Sequence, residues 1–188
     1  LNFGSYMESL EDAPEEFLPY VEGLEELIMG KRIRIEYSVF SMAKEFPTGI
    51  AIVDVDRAGN SRNVSDCQAG ILESLSEAGF QVRALRVDYP LQDLSDQEII
   101  RRVAAEYGGR IDRVIFGVGS ISEFSENEGS YIVKVNGTVK AADLASGEIL
   151  YTGSGFKRSR GGNTRSALSA AFKGLGRELG REMAAKLP

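Results

Sequence analysis

The chain has 188 residues, of which 43% are hydrophobic and 27% are charged, and it carries a formal net charge of −6 without a single histidine. A chain of this size and composition predicts one globular domain, or one domain with an additional arm, whose core needs neither disulfides nor metals. The acidic balance argues against a dedicated nucleic-acid-binding protein, and a single cysteine without histidine excludes the common zinc sites.

Residues 1–46 differ from the rest of the chain. The stretch MESLEDAPEEFLPYVEGLEELI is acidic, with apolar residues at helical spacing, and RIRIEYSVF (32–40) alternates like a half-buried strand. We therefore expect an N-terminal α–β arm over 1–46, or the tail of a preceding domain, followed by the main domain over 47–188. Because the first residue is Leu1 and not methionine, we also expect a processed product.

The main domain opens with alternating strands and helices. GIAIVDVD is a continuous apolar run typical of a strand buried on both faces, and the second helix begins with the capping box Ser95–Glu98. Cys67, in the first helix, is expected to be a small buried residue and not a nucleophile. The predicted elements are strands at 49–56, 80–88 and 112–124, with helices at about 64–78 and 95–109.

The second half of the domain predicts a long hairpin and a closing helix. Within 129–158, Val133, Val135 and Val139 alternate with polar residues, as in a hairpin that has one face in the core and one in water. The apolar residues of 164–186 recur at helical spacing and predict a long final helix.

Several glycines are expected to allow close packing. Two in the closing helix, four residues apart, are predicted to pack on the sheet, and two in the third strand are predicted to let a helix approach. Two more in the returning hairpin strand predict a bulge or a close backbone approach. These pairs are Gly176 and Gly180, Gly117 and Gly119, and Gly153 and Gly155, in that order.

The order of the elements predicts an α/β fold. After the arm the order is β-α-β-α-β-β-β-α, in which the first three strands should be parallel with right-handed crossovers. The hairpin should extend the sheet as an antiparallel edge. The prediction is a mixed sheet of about five or six strands with helices on its faces.

Three stretches carry a resemblance to a known family. They are IAIVDVD with a helix ending in LSEAGFQV, the strand VIFGVGSISEF, and VKVNGTVKAADLASGEILYTGSG with the helix ALSAAFKGLGREL. Their order and turn residues, over about residues 49–187, resemble the TolB N-terminal-like α/β domain of bacterial envelope proteins. That group includes the penicillin-binding-protein activator lipoproteins, the curli secretion lipoprotein and flagellar assembly protein T.

The resemblance implies a protein that is periplasmic or associated with the outer membrane, with any lipid anchor lying outside this chain. It implies no enzymatic activity and no cofactor, and it implies binding to other envelope proteins and not to nucleic acid. The identity of the partners and the formation of oligomers are left open by the resemblance.

Asp54 and Asp56 lie at the carboxyl end of the first strand, where open α/β sheets bind ligands. The pair resembles the Asp-x-Asp of haloacid-dehalogenase-type phosphotransferases, which hold magnesium. However, Ala58 stands where that family has threonine, and no apolar strand ending in an acidic pair follows. We therefore favour carboxylates that bond loop amides or a helix N-terminus over a ligand or metal site.

The stretch GFKRSRGGNTRSA (155–167) concentrates positive charge in an acidic chain. It could bind an anion at the start of the closing helix, dock an acidic protein partner, or be a solvated turn. The solvated turn is the simplest of these, and docking is the favoured functional reading. The candidate partner-binding residues are Lys157, Arg158, Arg160 and Arg165.

The sequence as a whole predicts a non-catalytic exported docking module of the bacterial envelope. The alternative is a magnesium- or nucleotide-dependent enzyme, or an anion-binding protein, that uses Asp54 and Asp56 together with the loop Lys157–Arg165. No metal or cofactor is predicted for the favoured function.

Overall fold

The computed structural model describes residues 44–187, all of which belong to one unit, Ser41–Pro188. The predicted N-terminal helix and the strand at 32–40 lie outside the described residues. The arm and the domain boundary after residue 46 therefore stay predictions.

The described residues form a mixed five-stranded sheet with three α-helices. The sheet order is β2-β1-β3-β4-β5, with β1 parallel to both β2 and β3, and with β3, β4 and β5 joined as antiparallel neighbours. This confirms the predicted α/β class, and the first three strands are parallel as expected. The elements are β1 (Thr48–Val55), α1 (Asp66–Glu77), β2 (Val82–Ala84), α2 (Asp96–Tyr107), β3 (Arg113–Asn127), β4 (Ser130–Asp143), β5 (Ile149–Gly161) and α3 (Thr164–Lys186).

Each α-helix begins at a polar side chain that accepts a hydrogen bond from a backbone amide of its first turn. Such caps satisfy donors that the helix itself cannot. Ser95 caps α2 at the predicted capping box, by accepting from the Glu98 amide. The caps of α1 and α3 are Ser65, which accepts from Gln68, and Asn163, which accepts from Ser166.

The two faces of the sheet are covered to different extents. Helices α1 and α3 lie side by side on one face, which we call the helix face, and enclose the larger apolar core with valines of β4. Helix α2 lies on the opposite face and packs over β1 and the first part of β3. None of the described helices is long and apolar enough to span a membrane.

Three predicted strand features differ in the structure. The second strand is only Val82–Ala84, because the chain after it leaves the sheet for the turn that precedes α2. The third strand does not end at residue 124 but continues to Asn127 and turns directly into β4 through Glu128 and Gly129. The bulge in the returning strand lies at Leu150, where the β4–β5 register shifts, and not at the two glycines.

Gly176 and Gly180 of α3 contact another helix and not the sheet, which corrects the prediction. A Cβ on Gly176 would lie 2.1 Å from the carbonyl oxygen of Cys67 in α1, and one on Gly180 would lie 2.9 Å from Ser74. Gly70 of α1 makes the corresponding contact from the other helix, since a Cβ on it would lie 2.3 Å from the carbonyl oxygen of Lys173 in α3. The two helices therefore approach each other backbone to backbone, which explains why glycine occupies these interior helical positions despite its low propensity.

The glycines of the strands also differ in what they contact. Gly119 faces the ring of Phe172 in α3, as predicted, whereas a Cβ on Gly117 would collide with the backbone of β4. Gly119 is paired across the sheet with Gly137, which is paired in turn with Gly155. This row carries no side chains, so the apolar residues of α3 sit directly on the backbone of three strands.

Candidate functional site

Asp54 is fully buried at the end of β1 and caps the N-terminus of α1. Its carboxylate accepts hydrogen bonds from the amides of Asp66 (2.7 Å) and Cys67 (3.2 Å) and from the Ser65 hydroxyl (3.2 Å). Arg62 lies 3.6 Å away. These are the contacts of a helix-capping carboxylate, the arrangement favoured from the sequence, and no face of the group is open to a ligand.

The two aspartates of DVD have opposite electrostatic environments. Burial raises the pKa of Asp54 to about 6, against the lowering effects of the Cys67 and Asp66 amides and of Arg62. Hydrogen bonds from Asn60 and the neighbouring loop amides hold the pKa of the half-buried Asp56 below its usual value. Asp56 therefore organises its own loop, and the two carboxylates do not share a ligand.

The polar cluster around Asp54 joins three elements. Asp66 of α1 accepts from the Ser169 hydroxyl of α3 at 2.8 Å, and it lies 3.5 Å from Arg62. The Arg62 guanidinium lies 5.0 Å from the centre of the Phe172 ring. Over the residues that the structure describes, no three acidic or cysteine side chains converge as a metal site. Cys67 is buried, and burial raises the pKa of its thiol, as expected for a residue of the core.

The basic stretch is divided between the two faces of the sheet and is not one loop. Lys157 lies on the helix face, where it is ion-paired with Glu178 of α3 and its methylenes cover Gly174. Arg158 and Arg160 alternate with it along β5 and are exposed on the opposite face. The four predicted cations therefore do not converge on one anion.

Arg165 stands apart from the strand arginines, in the first turn of α3. Strand β5 runs through Gly161, so only Gly162 and Asn163 connect it to α3. Asn163 already occupies the helix N-terminus by accepting from the Ser166 amide at 2.8 Å. Arg160, on β5, donates a hydrogen bond to the Ser130 hydroxyl at 2.8 Å.

The face opposite α3 is not covered by any described element beyond the part of β4 that packs on α2, and its side chains there are exposed. We call this surface the open face and define it by its exposed side chains. Phe156 is its most apolar member, with 65% of its surface exposed, and the Lys134 ammonium lies 5.3 Å from the centre of its ring. The open face consists of Asn136, Thr138, Ser154, Phe156, Arg158 and Arg160.

A groove of about 720 Å³ runs between the open face and the segment that leads into α2. Leu91 and Leu94 form one wall, small polar side chains of β4 and β5 form the floor, and Phe156 stands at the rim. An ion pair between Lys140 of β4 and Asp96 of α2 crosses beside it.

Phe156 was missed as a candidate from the sequence. The signal was present, because Phe156, Arg158 and Arg160 are spaced two apart and therefore share one face of a strand. The candidate residues were chosen by charge, which selected the arginines and left out the phenylalanine between the glycines and the cations.

Solved structures of similar shape come from several bacteria. The PelC dodecamer protein from Paraburkholderia phytofirmans is 13% identical, over 76% of this chain and 89% of that one, with a TM-score of 0.48. Lipoprotein GNA1162 from Neisseria meningitidis is 18% identical, over 74% and 99%, with a TM-score of 0.39. The LpoB C-terminal domain from Salmonella enterica is 13% identical, over 59% and 82%, with a TM-score of 0.35. Similarity this remote carries no argument about activity or partners.

No curated protein matches the sequence. A protein family does match, and it covers residues 47–184, nearly the whole of the described domain. Its description as a lipoprotein domain supports the broad expectation of a lipoprotein, whereas the individual envelope families that the sequence resembled are not confirmed. The chain belongs to the TP0693-like lipoproteins, and residues 47–184 are the C-terminal domain of that family.

Proposed function

We propose that this domain is a non-catalytic docking module of an exported bacterial envelope lipoprotein. In this proposal it lies in the periplasm or at the outer membrane and binds other envelope proteins through its open face. Its membership of a lipoprotein family supports the location. The arrangement of Phe156, Arg158 and Arg160 supports the mode of binding.

The observation that carries the proposal is an exposed aromatic ring beside two arginines on the part of the sheet that no described helix covers. Aromatic and arginine side chains are enriched at the centres of protein interfaces, where they dominate the binding energy. Phe156 is 65% exposed, whereas Phe172, on the other side of the same sheet, is fully buried. A large exposed apolar side chain with cationic neighbours is typical of a surface that meets a partner.

The contacts do not support the alternative of a magnesium- or nucleotide-dependent enzyme. Asp54 is fully buried, and its hydrogen bonds come from the start of α1. Lys157 is paired with Glu178, on the face away from the strand arginines. An enzyme of that kind would need these groups to meet around one substrate.

A photo-crosslinking phenylalanine analogue at position 156 tests the docking face in the host cell. We expect a specific adduct that disappears when Arg158→Glu and Arg160→Glu are added, because charge reversal removes the attraction for an acidic partner. The same analogue at Val64, which is 61% exposed and lies before α1, should give no such adduct.

The matched control is Arg57→Glu with Arg86→Glu, which changes the net charge equally. Arg57 follows β1 and Arg86 follows β2, the strand at the other edge of the sheet. This pair should keep the adduct at position 156. Loss of the adduct in both double variants, or recovery of the protein in the cytosolic fraction, would contradict the proposed function.

A further inference from the structure

Strand β5 is a long edge of the sheet. It spans 13 residues and pairs with β4 on one side, and no other strand among residues 44–187 pairs with its outer side. In an extended strand, successive backbone amides and carbonyls point to alternate sides, so half of those in β5 point away from β4. An edge of this kind is a template on which another strand can form.

The edge is regular over most of its length. From Tyr151 to Gly161 its pairing with β4 continues without a register shift, and this stretch contains no proline. The only irregularity of the β4–β5 pair lies before it, at Leu150. A partner strand along this stretch would therefore meet an uninterrupted ladder of donors and acceptors.

The charges of β5 decide which strand would fit. On the helix face Lys157 is paired with Glu178. On the open face Arg160 donates to Ser130, and neither Arg158 nor Arg160 has a carboxylate within 4.0 Å among the described residues. Glu123 of β3 is ion-paired with Lys134 at 2.9 Å, and Lys134 is the main cause of its lowered pKa, to which the charge of Arg158 contributes less. The two arginines are thus available to an incoming acidic side chain.

We propose that an extended acidic segment of a partner protein adds to β5 as a further strand of the sheet. Its acidic side chains, two residues apart, lie beside Arg158 and Arg160, and an apolar side chain lies beside Phe156. Cross-strand pairs of opposite charge and of apolar groups stabilise a sheet, so the side chains specify the partner while the backbone ladder holds it. This inference rests on the proposed function and gives it a mode of binding.

The same charges disfavour other occupants. Cations on an exposed edge are a common device against edge-to-edge association, because a neutral or basic strand gains no compensating partner for them. An acidic strand, in contrast, is attracted by the same arginines. A second copy of the chain would bring two more arginines to the interface.

The test uses a labelled synthetic peptide of about eight residues, the length of an ordinary strand. Along its sequence, threonines alternate with two glutamates and then a valine. In an antiparallel pair, the two glutamates can face Arg160 and Arg158, and the valine can face Phe156. Binding to the full chain is measured by fluorescence anisotropy. Substitution of lysine for both glutamates should abolish binding, and raised salt should weaken it.

Two N-methylated versions of this peptide separate strand addition from simple charge attraction. Methyl groups on alternate amides block either the edge that faces β5 or the edge that faces water. We expect one version to bind at least about tenfold more weakly, because several backbone hydrogen bonds are lost, and the other to bind nearly as well as the parent. The amides of β5 should also become protected from hydrogen exchange only with the versions that bind.

Three outcomes would overturn the inference. Equal binding of both methylated versions would mean that charge alone holds the peptide, and the proposed docking function would survive without strand addition. Absence of binding by the parent peptide would refute the acidic strand. A dimer in which β5 pairs with β5 would assign the edge to a second copy.

The variants provide the internal control. Arg158→Glu with Arg160→Glu should weaken peptide binding at least about tenfold, since two attractive pairs become repulsive. Arg57→Glu with Arg86→Glu should leave binding within about twofold of the parent chain, because surface charges remote from the peptide are screened. Both double variants should unfold at the same temperature as the parent, which shows that the loss is one of binding.

Discussion

The two faces of the sheet can be compared along a single strand. In β4, Val133, Val135 and Val139 are buried beneath α3, whereas Asn136 and Thr138, between them, are exposed. The same division recurs in β5, where every second side chain from Ser154 to Arg160 faces water. The helix face is closed by apolar packing and by glycine contacts, so substitutions there should act on stability. Substitutions on the open face should act on binding.

Each face of the sheet carries a phenylalanine, so the same substitution can be made on both. Phe172→Ala should lower the free energy of unfolding by about 3–5 kcal/mol, because it leaves a cavity in a closed core. Phe156→Ala should change it by less than about 0.5 kcal/mol, as for most surface positions. Urea titration of the two variants measures both values. Similar losses would mean that Phe156 is also covered in the folded protein.

A smaller effect is expected where α1 and α3 touch. Gly176→Ala should cost about 2–3 kcal/mol, because its Cβ would meet the backbone of Cys67, which cannot move aside without separating the helices. Gly174→Ala is the matched control two residues away. Its Cβ would meet only the flexible side chain of Lys157, at 3.2 Å. The control should gain up to about 1 kcal/mol from helix propensity. Equal effects of the two substitutions would refute the close helix contact.

The smallest of the three effects concerns pH. Because the pKa of Asp54 is raised to about 6 in the folded protein, from 3.8, the folded state binds a proton more readily than the unfolded chain does. Asp54 therefore contributes stability that increases as the pH falls from 7 through 6, which is the opposite of an ordinary ion-paired carboxylate. Linkage gives a gain of about 1 kcal/mol between pH 7 and pH 5.

Comparison with Asp54→Asn isolates that contribution. The variant should lack the gain, while it keeps the opposite trend from Glu73, whose pKa is lowered to about 2 by Arg177 and Lys173. Urea unfolding at several pH values provides the measurement. Parallel pH profiles for the parent and the variant would show that Asp54 is already ionised throughout this range.

The sequence predicted elements better than it predicted contacts. Alternation in β4 and the helix cap at Ser95 are local patterns, and both appear in the structure, although the Glu98 carboxylate bonds Arg101 and Arg102. Spacing placed Gly176 and Gly180 on one side of a helix but could not tell that α1, not the sheet, lies against them. That information resides in the packing of elements far apart in the chain.

The candidate site was predicted only in part. The expectation that Asp54 bonds a helix N-terminus needed only the order of β1 and α1, which is local. The four cations of the basic stretch were treated as one docking patch, whereas the alternation of side chains along β5 places Lys157 on one face of the sheet and Arg158 on the other. The spacing of Phe156 with the two arginines indicates a shared face, but how far α2 covers that face is a property of the tertiary packing.

The contact between α1 and α3 has a consequence for when the domain can fold. Ser74 donates a hydrogen bond to the carbonyl of Arg177, a residue 103 positions later in the chain. While the chain is being synthesised, the glycine surface of α1 has no partner until the final helix emerges. Contacts that close such long loops form late and slow the folding of a domain. We therefore expect the domain to remain unfolded until α3 is available, so that the packing of α3 against α1 completes it in one cooperative step.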